Sequence, residues 1–183
     1  MLHFFLFFLS ALRRLARGRS RRGGRAGCWL RRTGWGVILA EGSRLAWIAH
    51  GVIAPPESGA FAERLRALFD GIDAVIAAHR PDEAAVEETF VNANPASALK
   101  LGHARAAALI APARAGLSVA EYAPTVVKKA LVGTGGADKA QVAFMVRRLL
   151  PACGETSADS ADALAVAIAH AGARRSRRLG AAA

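Results

Sequence analysis

At 183 residues and 53% hydrophobic content, the chain is long and apolar enough for one domain with a sizeable core. Its formal charge of +11 suggests an acidic partner, but nine of the 25 lysines and arginines lie in residues 1–32, which leaves 16 basic residues against 14 acidic ones in the rest. The folded part is therefore only mildly basic, and binding of a polyanion there must rest on individually placed side chains instead of a bulk field.

Met1 to Leu9 is a Leu/Phe-rich run too short to span a bilayer, and arginines follow it instead of preceding it, an order that argues against a signal peptide. Arg13 to Arg32 is Arg/Gly-rich with almost no apolar surface to bury, so residues 1–32 are expected to form a disordered segment foreign to the rest. It reads either as a nucleic-acid or membrane-surface arm or as a non-native start, and we prefer the second. From Thr33 the pattern becomes that of an α/β domain, expected over residues 33–173 and followed by a basic, Ala-rich tail at 174–183. Gly34 to Leu39 and Arg44 to Ile53 read as strands of a hairpin joined by Glu41-Gly42-Ser43. Phe61 to His79 has apolar residues at helical period and is stopped by Pro81. Ala84 to Thr89 reads as a buried strand, Ala96 to Ala115 as an Ala-rich helix, Ser118 to Tyr122 as a short strand, and Pro124 to Leu131 as a helix ended by Gly133. Asp138 to Leu150 and Asp159 to Ala171 add two helices. Strands first, then strands alternating with helices, predict a mixed sheet covered on both faces. Cys28 and Cys153 are isolated, which argues against a disulfide framework or structural zinc and fits a reducing, cytoplasmic setting.

The acidic residues carry the chemistry. A Ser or Thr cap in Thr156-Ser157 places Asp159 and Asp162 in the first turns of a helix, on one face. Ala163 to Ala169 is apolar all round, so these carboxylates would lie against a low-dielectric wall unless a cation compensates them. The plainer alternative is two aspartates favouring the positive end of a helix. Glu87 and Glu88 are adjacent in a strand and point to opposite faces, so only one can meet the aspartates, and spacing does not choose between them. Convergent carboxylates of this kind suit hard divalent cations and phosphodiester cleavage. Lys139 follows a Gly-rich turn at a helix start, where free amides and the dipole would suit phosphate. The turn is not a Walker loop, because Asp138 and Ala140 flank the lysine, so nucleotide hydrolysis is unsupported. His103 and His170 fall in helical segments and read as packing or surface residues.

Four segments resemble, in unbroken order from Leu30 to His170, the RuvC family of Holliday-junction resolving endonucleases. They are Val86 to Gly102, Tyr122 to Lys128, Gly133 to Val142, and Ala158 to Ala165. The resemblance implies a ribonuclease-H-like α/β fold and a homodimer that cuts symmetric strands of four-way junction DNA in recombination and repair, acting with a branch-migration motor complex. It implies Mg2+, a pair of ions per site with Mn2+ able to substitute, held by Glu87, Asp159 and Asp162 as catalytic carboxylates. It further implies that Phe90 meets bases near the junction centre, and that Lys128 and Lys139 bind DNA near the scissile phosphate.

The resemblance breaks before Leu30. Members open with a strand ending in Ile-Asp-Pro-Gly, whose aspartate bridges the metals, whereas here Gly27 takes that place and no Asp or Glu occurs before Glu41. Without an apolar first strand the sheet would lack a central element, and its neighbour's backbone groups would need another partner, for which Met1 to Leu9 is available. We expect a frame error or wrong start, the natural protein being an ordinary resolvase. The alternative is a catalytically impaired paralogue that binds junctions without cutting them. A third reading, an arginine-rich RNA-binding or membrane-surface protein, would leave residues 33–173 without a purpose.

Overall fold

The computed structural model describes residues 3–10, 32–88 and 95–181, with side chains described from 32 to 88 and from 98 to 181. Five strands form one sheet, β1 (His3–Ser10), β2 (Thr33–Glu41), β3 (Arg44–Ile53), β4 (Glu83–Glu87) and β5 (Ser118–Tyr122), in the order β3-β2-β1-β4-β5. The first three strands are antiparallel neighbours, while β1, β4 and β5 run parallel. Five helices, α1 (Phe61–His79), α2 (Pro95–Arg114), α3 (Pro124–Val132), α4 (Lys139–Leu149) and α5 (Ala158–Ala181), complete the mixed sheet flanked by helices that the sequence predicts.

Local chemistry accounts for most boundaries. The hairpin closes through Gly42-Ser43, and Gly42 has a φ of 60°, a left-handed conformation that glycine adopts without a Cβ penalty. The register shifts between Val37 and Ile38, whose partners Ala49 and Trp47 leave one extra residue in β3. Helix α1 ends on Arg80, whose amide bonds to the Ile76 carbonyl before Pro81 prevents continuation. Alternation along β2 feeds both faces of the sheet. Val37 joins Leu68 and Ile72 of α1 and Ala104 and Ala108 of α2, whereas Ile38 joins Val127 of α3, Val146 of α4 and Leu164 of α5.

Two findings depart from the sequence reading. Residues 3–10, expected within a disordered segment, form the central strand, paired with β2 from His3↔Ala40 to Ser10↔Thr33 and with β4 from Phe5↔Glu83 to Phe8↔Val86. This is the pairing for which the backbone groups of β2 and β4 call, and it outweighs the arginine-rich connection that must follow it. The second departure is α5, which runs three turns beyond the expected end and takes in most of the basic tail. Arg and Ala are good helix formers, and the ion pair of Arg174 Nε with Glu83 Oε1 at 2.9 Å ties the extension to β4.

Candidate active site

The start of α5 is built by a cap and a close approach. Ser157 accepts the Ser160 amide on its Oγ at 3.1 Å, and its carbonyl accepts the Ala161 amide at 2.9 Å, so it serves as the N-cap and the helix begins at Ala158. Beneath this end lies β2. A Cβ on Gly34 would stand 2.0 Å from the Asp159 carbonyl oxygen, and one on Gly36 would stand 2.7 Å from Leu164 Cδ2. Both glycines of Gly34-Trp35-Gly36 are thus needed for space, letting the first turns of α5 sit directly on the sheet.

Asp159 is about one-fifth exposed and Asp162 about one-quarter, and each meets a cation. The Nε of Arg32 donates to Asp159 Oδ2 at 3.0 Å, and the Nζ of Lys139 donates to Asp162 Oδ2 at 2.7 Å. Both cations are more than half exposed, so these pairs are screened and can exchange for other partners at little cost. Lys139 opens α4, where Asp138 forms a reciprocal box with Gln141: its carboxylate accepts the Gln141 amide, and the Gln141 side-chain oxygen accepts the Asp138 amide, both at 2.9 Å. The amides expected to be free for phosphate at this helix start are therefore reduced by two. Asp138 and Gln141 take up each other's amide, while Lys139 brings a positive charge to the same end.

The choice between Glu87 and Glu88 is decided by the faces of β4. Glu83 bonds to His170 of α5, and Ala85 packs in the α5 cluster, so Glu87, the next residue in the alternation, belongs to that face. Glu88 follows the strand, and its amide donates to the Tyr122 carbonyl at 2.8 Å. Lys128 lies half-buried on α3, and no hydrogen bond or ion pair joins it to Asp159 or Asp162 among the described residues. Phe90 and Gly27 lie outside the described residues.

Arg32 escaped the sequence reading, since nothing local distinguishes it from the arginines before it. So did a polar cluster along β4 and β5, where the buried His170 contacts Glu83 Oε2, at the start of β4, through Nε2 and Tyr122 Oη, reaching from the residue paired with Glu87, through Nδ1, both at 2.9 Å. The spacing held a signal for this cluster, because Asp162, Val166, His170 and Arg174 recur every four residues on one helical face.

Oxygen donors on α5 and on the facing side of β4 suit a hard divalent cation in kind. Among the described residues, no three His, Cys, Asp or Glu side chains are gathered closely enough to enclose one. The reason is visible on both sides of the site: the aspartates are turned to Arg32 and Lys139, and the sequence of β1, HFFLFFLS, contributes no carboxylate from the centre of the sheet. Among the described residues, no helix is long and apolar enough to cross a membrane.

The family described as Crossover junction endodeoxyribonuclease RuvC matches residues 27–170. A protein of that name from Caulobacter sp. (strain K31) is 70% identical over 149 residues, covering 81% of this chain and 88% of its own length. Another from Maricaulis maris (strain MCS10) is 64% identical, covering 84% of this chain and 92% of its own. Among solved structures, Thermus thermophilus RuvC in complex with Holliday junction substrate superposes with a TM-score of 0.76 at 30% identity, covering 94% of this chain and 95% of that one. That span exceeds what residues 27–183 can supply, so the likeness in fold extends into the N-terminal residues where the family match has ended. The yeast mitochondrial Holliday junction resolvase Ydc2 shares the fold alone, at 12% identity and a TM-score of 0.51.

Proposed function

Because the chain belongs to the RuvC family of crossover junction endodeoxyribonucleases, we propose that it binds four-way DNA junctions and hydrolyses phosphodiester bonds in symmetric strands during recombination and repair. The observation that carries this reading is the pairing of Asp159, which lies over Gly34, and of Asp162 with two exposed cations, on the face of the sheet that also carries Glu87. In this reading Glu87, Asp159 and Asp162 hold the divalent cation on which the family depends, Mg2+ with Mn2+ able to substitute. Held there, a divalent cation would supply activation of a water and compensation of the charge developing on the phosphate and the leaving 3′ oxygen.

The protein's own groups position the strand. Lys139, paired with Asp162 while no phosphate is present, turns its ammonium to the backbone near the scissile bond, and Lys128 on α3 supports the same strand farther out. Arg32 releases Asp159 in the same way. Phe90 stacks on bases near the junction centre. Paired nicks in equivalent strands need two equivalent sites, which a homodimer supplies, and the product of a branch-migration motor complex is the natural substrate. A cytoplasmic setting fits such work.

The chain has no carboxylate before Glu41, so we infer that it binds junctions better than it cuts them. Binding rests on phosphate contacts that the missing group does not touch. Gel-shift titration of a four-way junction against linear duplex, run beside Mg2+-dependent cleavage, tests both statements. We expect selective, salt-sensitive binding with weak cleavage. Equal affinity for duplex and junction would sink the functional reading, and efficient cleavage would sink the inference of an incomplete site.

A further inference from the structure

Apart from Leu164, which seats over Gly36, the surface by which α5 meets the sheet is built largely of small residues. Between Asp162 and His170 the helix presents Ala163, Ala165, Ala167 and Ala169 among three larger residues, and all are buried. Such a small-residue surface resists sliding by a turn far less than an interlocking one. The polar contacts are different in kind, because a buried group that loses its partner cannot regain water.

We propose that Tyr122 and Glu83, the latter held by Arg174, grip His170 as a positioning cluster that sets the register of α5 on β4 and so holds Asp162 level with Glu87. The inference rests on the functional reading of Glu87 and Asp162 given above.

The spacing on the two elements matches. Glu83 and Glu87 are four residues apart on one face of β4, a rise of ~13 Å in a strand. Asp162 precedes His170 by eight residues, a rise of ~12 Å in a helix. The elements run in opposite senses, as the sheet itself shows. Asp159 lies over Gly34, Gly34 pairs with Leu9, and Leu9 follows Phe8, the partner of Val86 near the end of β4, whereas His170 meets Glu83 at its start. With His170 held at Glu83, Asp162 therefore arrives level with Glu87. A slip of one helical turn, ~5.4 Å, would break the far contact and misplace the near one together.

With the ring neutral, the cluster is satisfied in one tautomer. The Glu83 carboxylate can only accept, so Nε2 of His170 carries the proton, and Nδ1 of the neutral ring accepts from the Tyr122 hydroxyl. The second oxygen of Glu83 accepts from Arg174 Nε at 2.9 Å, and the Tyr122 and His170 rings meet edge to face at 5.7 Å. Arg177 also faces this group and hydrogen-bonds to Tyr122. Burial pushes the imidazole below its ordinary range against the pull of Glu83, which keeps the ring neutral near pH 7.

The test uses the full chain with Cys28 and Cys153 replaced by serine and spin labels at exposed Ser43, on the β2–β3 turn, and Arg175, on α5. Glu83→Ala and His170→Ala are expected to shift or broaden the inter-label distance by several ångströms, roughly one helical turn. Glu83→Gln keeps an acceptor for the Nε2 proton and should restore the unaltered distance. Tyr122→Phe, which removes only a hydroxyl, guards against variants that fail to fold and should show a smaller broadening. On junction DNA, Glu83→Ala should lower the cleavage rate about tenfold while binding changes little, because a misplaced catalytic group costs rate before affinity. An unchanged distance in folded Glu83→Ala or His170→Ala overturns the proposal whatever the junction assay gives. If the unaltered chain does not bind junctions, the functional reading fails, and the label distances still decide the register.

Discussion

Gly34, Leu9 and Glu87 define one line across the sheet at the candidate site. Leu9 pairs with Gly34, over which Asp159 sits, and continuing the β1–β4 register by one residue past Phe8↔Val86 brings Leu9 beside Glu87. A carboxylate at that register position would join the line that Gly34 and Glu87 define, so Leu9→Asp is expected to raise Mg2+-dependent junction cleavage by roughly tenfold or more over the unaltered chain. No gain in a cleavage time course, with the variant folded, would contradict this placement of the gap. Lys139 has two jobs in the proposed mechanism, balancing Asp162 and meeting the phosphate. Lys139→Ala should therefore cut cleavage by about a hundredfold while weakening junction binding only a few-fold and lowering its salt dependence, as read from affinities over a range of salt.

At the scale of elements, the site depends on how closely α5 can lie on β2. Gly34 has no room for even a methyl group against the backbone of Asp159, and backbone cannot yield as a side-chain tip can. Gly34→Ala must lift the first turns of α5 from the sheet, and we expect a loss of about 1–3 kcal/mol in urea unfolding together with loss of cleavage. Gly36→Ala should be milder, because the Cβ would meet the movable end of Leu164. Helix α4 shows the complementary case. Its capping box by Asp138 and Gln141 takes up the Asp138 and Gln141 amides and fixes the start of the helix at Lys139.

For the molecule as a whole, the buried cluster links stability to acidity. His170 titrates near pH 6.5 in an unfolded chain and lower in the folded one, where burial disfavours the charged ring. The unfolded chain therefore takes up the proton first as pH falls. The contribution of this residue is complete above about pH 6.5 and is lost progressively as pH drops through the folded value. Thermal melts of the unaltered chain and of His170→Gln, compared over that range, should show the unaltered chain losing more of its stability on acidification. Parallel curves would mean that the ring does not govern this window. The same cluster couples the basic extension of α5 to β4 through Arg174, so the C-terminal arginines belong to the folded body at least as far as this ion pair.

Much of this protein was legible from sequence alone because its signals are local. Periodicity and breakers set α1 between Phe61 and Pro81, a left-handed glycine closed the β2–β3 turn, Ser157 capped α5, and the spacing of Asp159 and Asp162 put both on one helical face. The ordered motifs from Leu30 to His170 carried the family. What remained closed depended on groups far apart in the chain. Only the sheet could choose Glu87 over Glu88, since that choice depends on which face α5 covers, and only the sheet could place His3–Ser10 at its centre, since a run of Leu and Phe gains a position from the strands on either side. Arg32 on Asp159 and Glu83 on His170 span 127 and 87 residues, separations over which pattern carries no information and packing alone decides which groups meet.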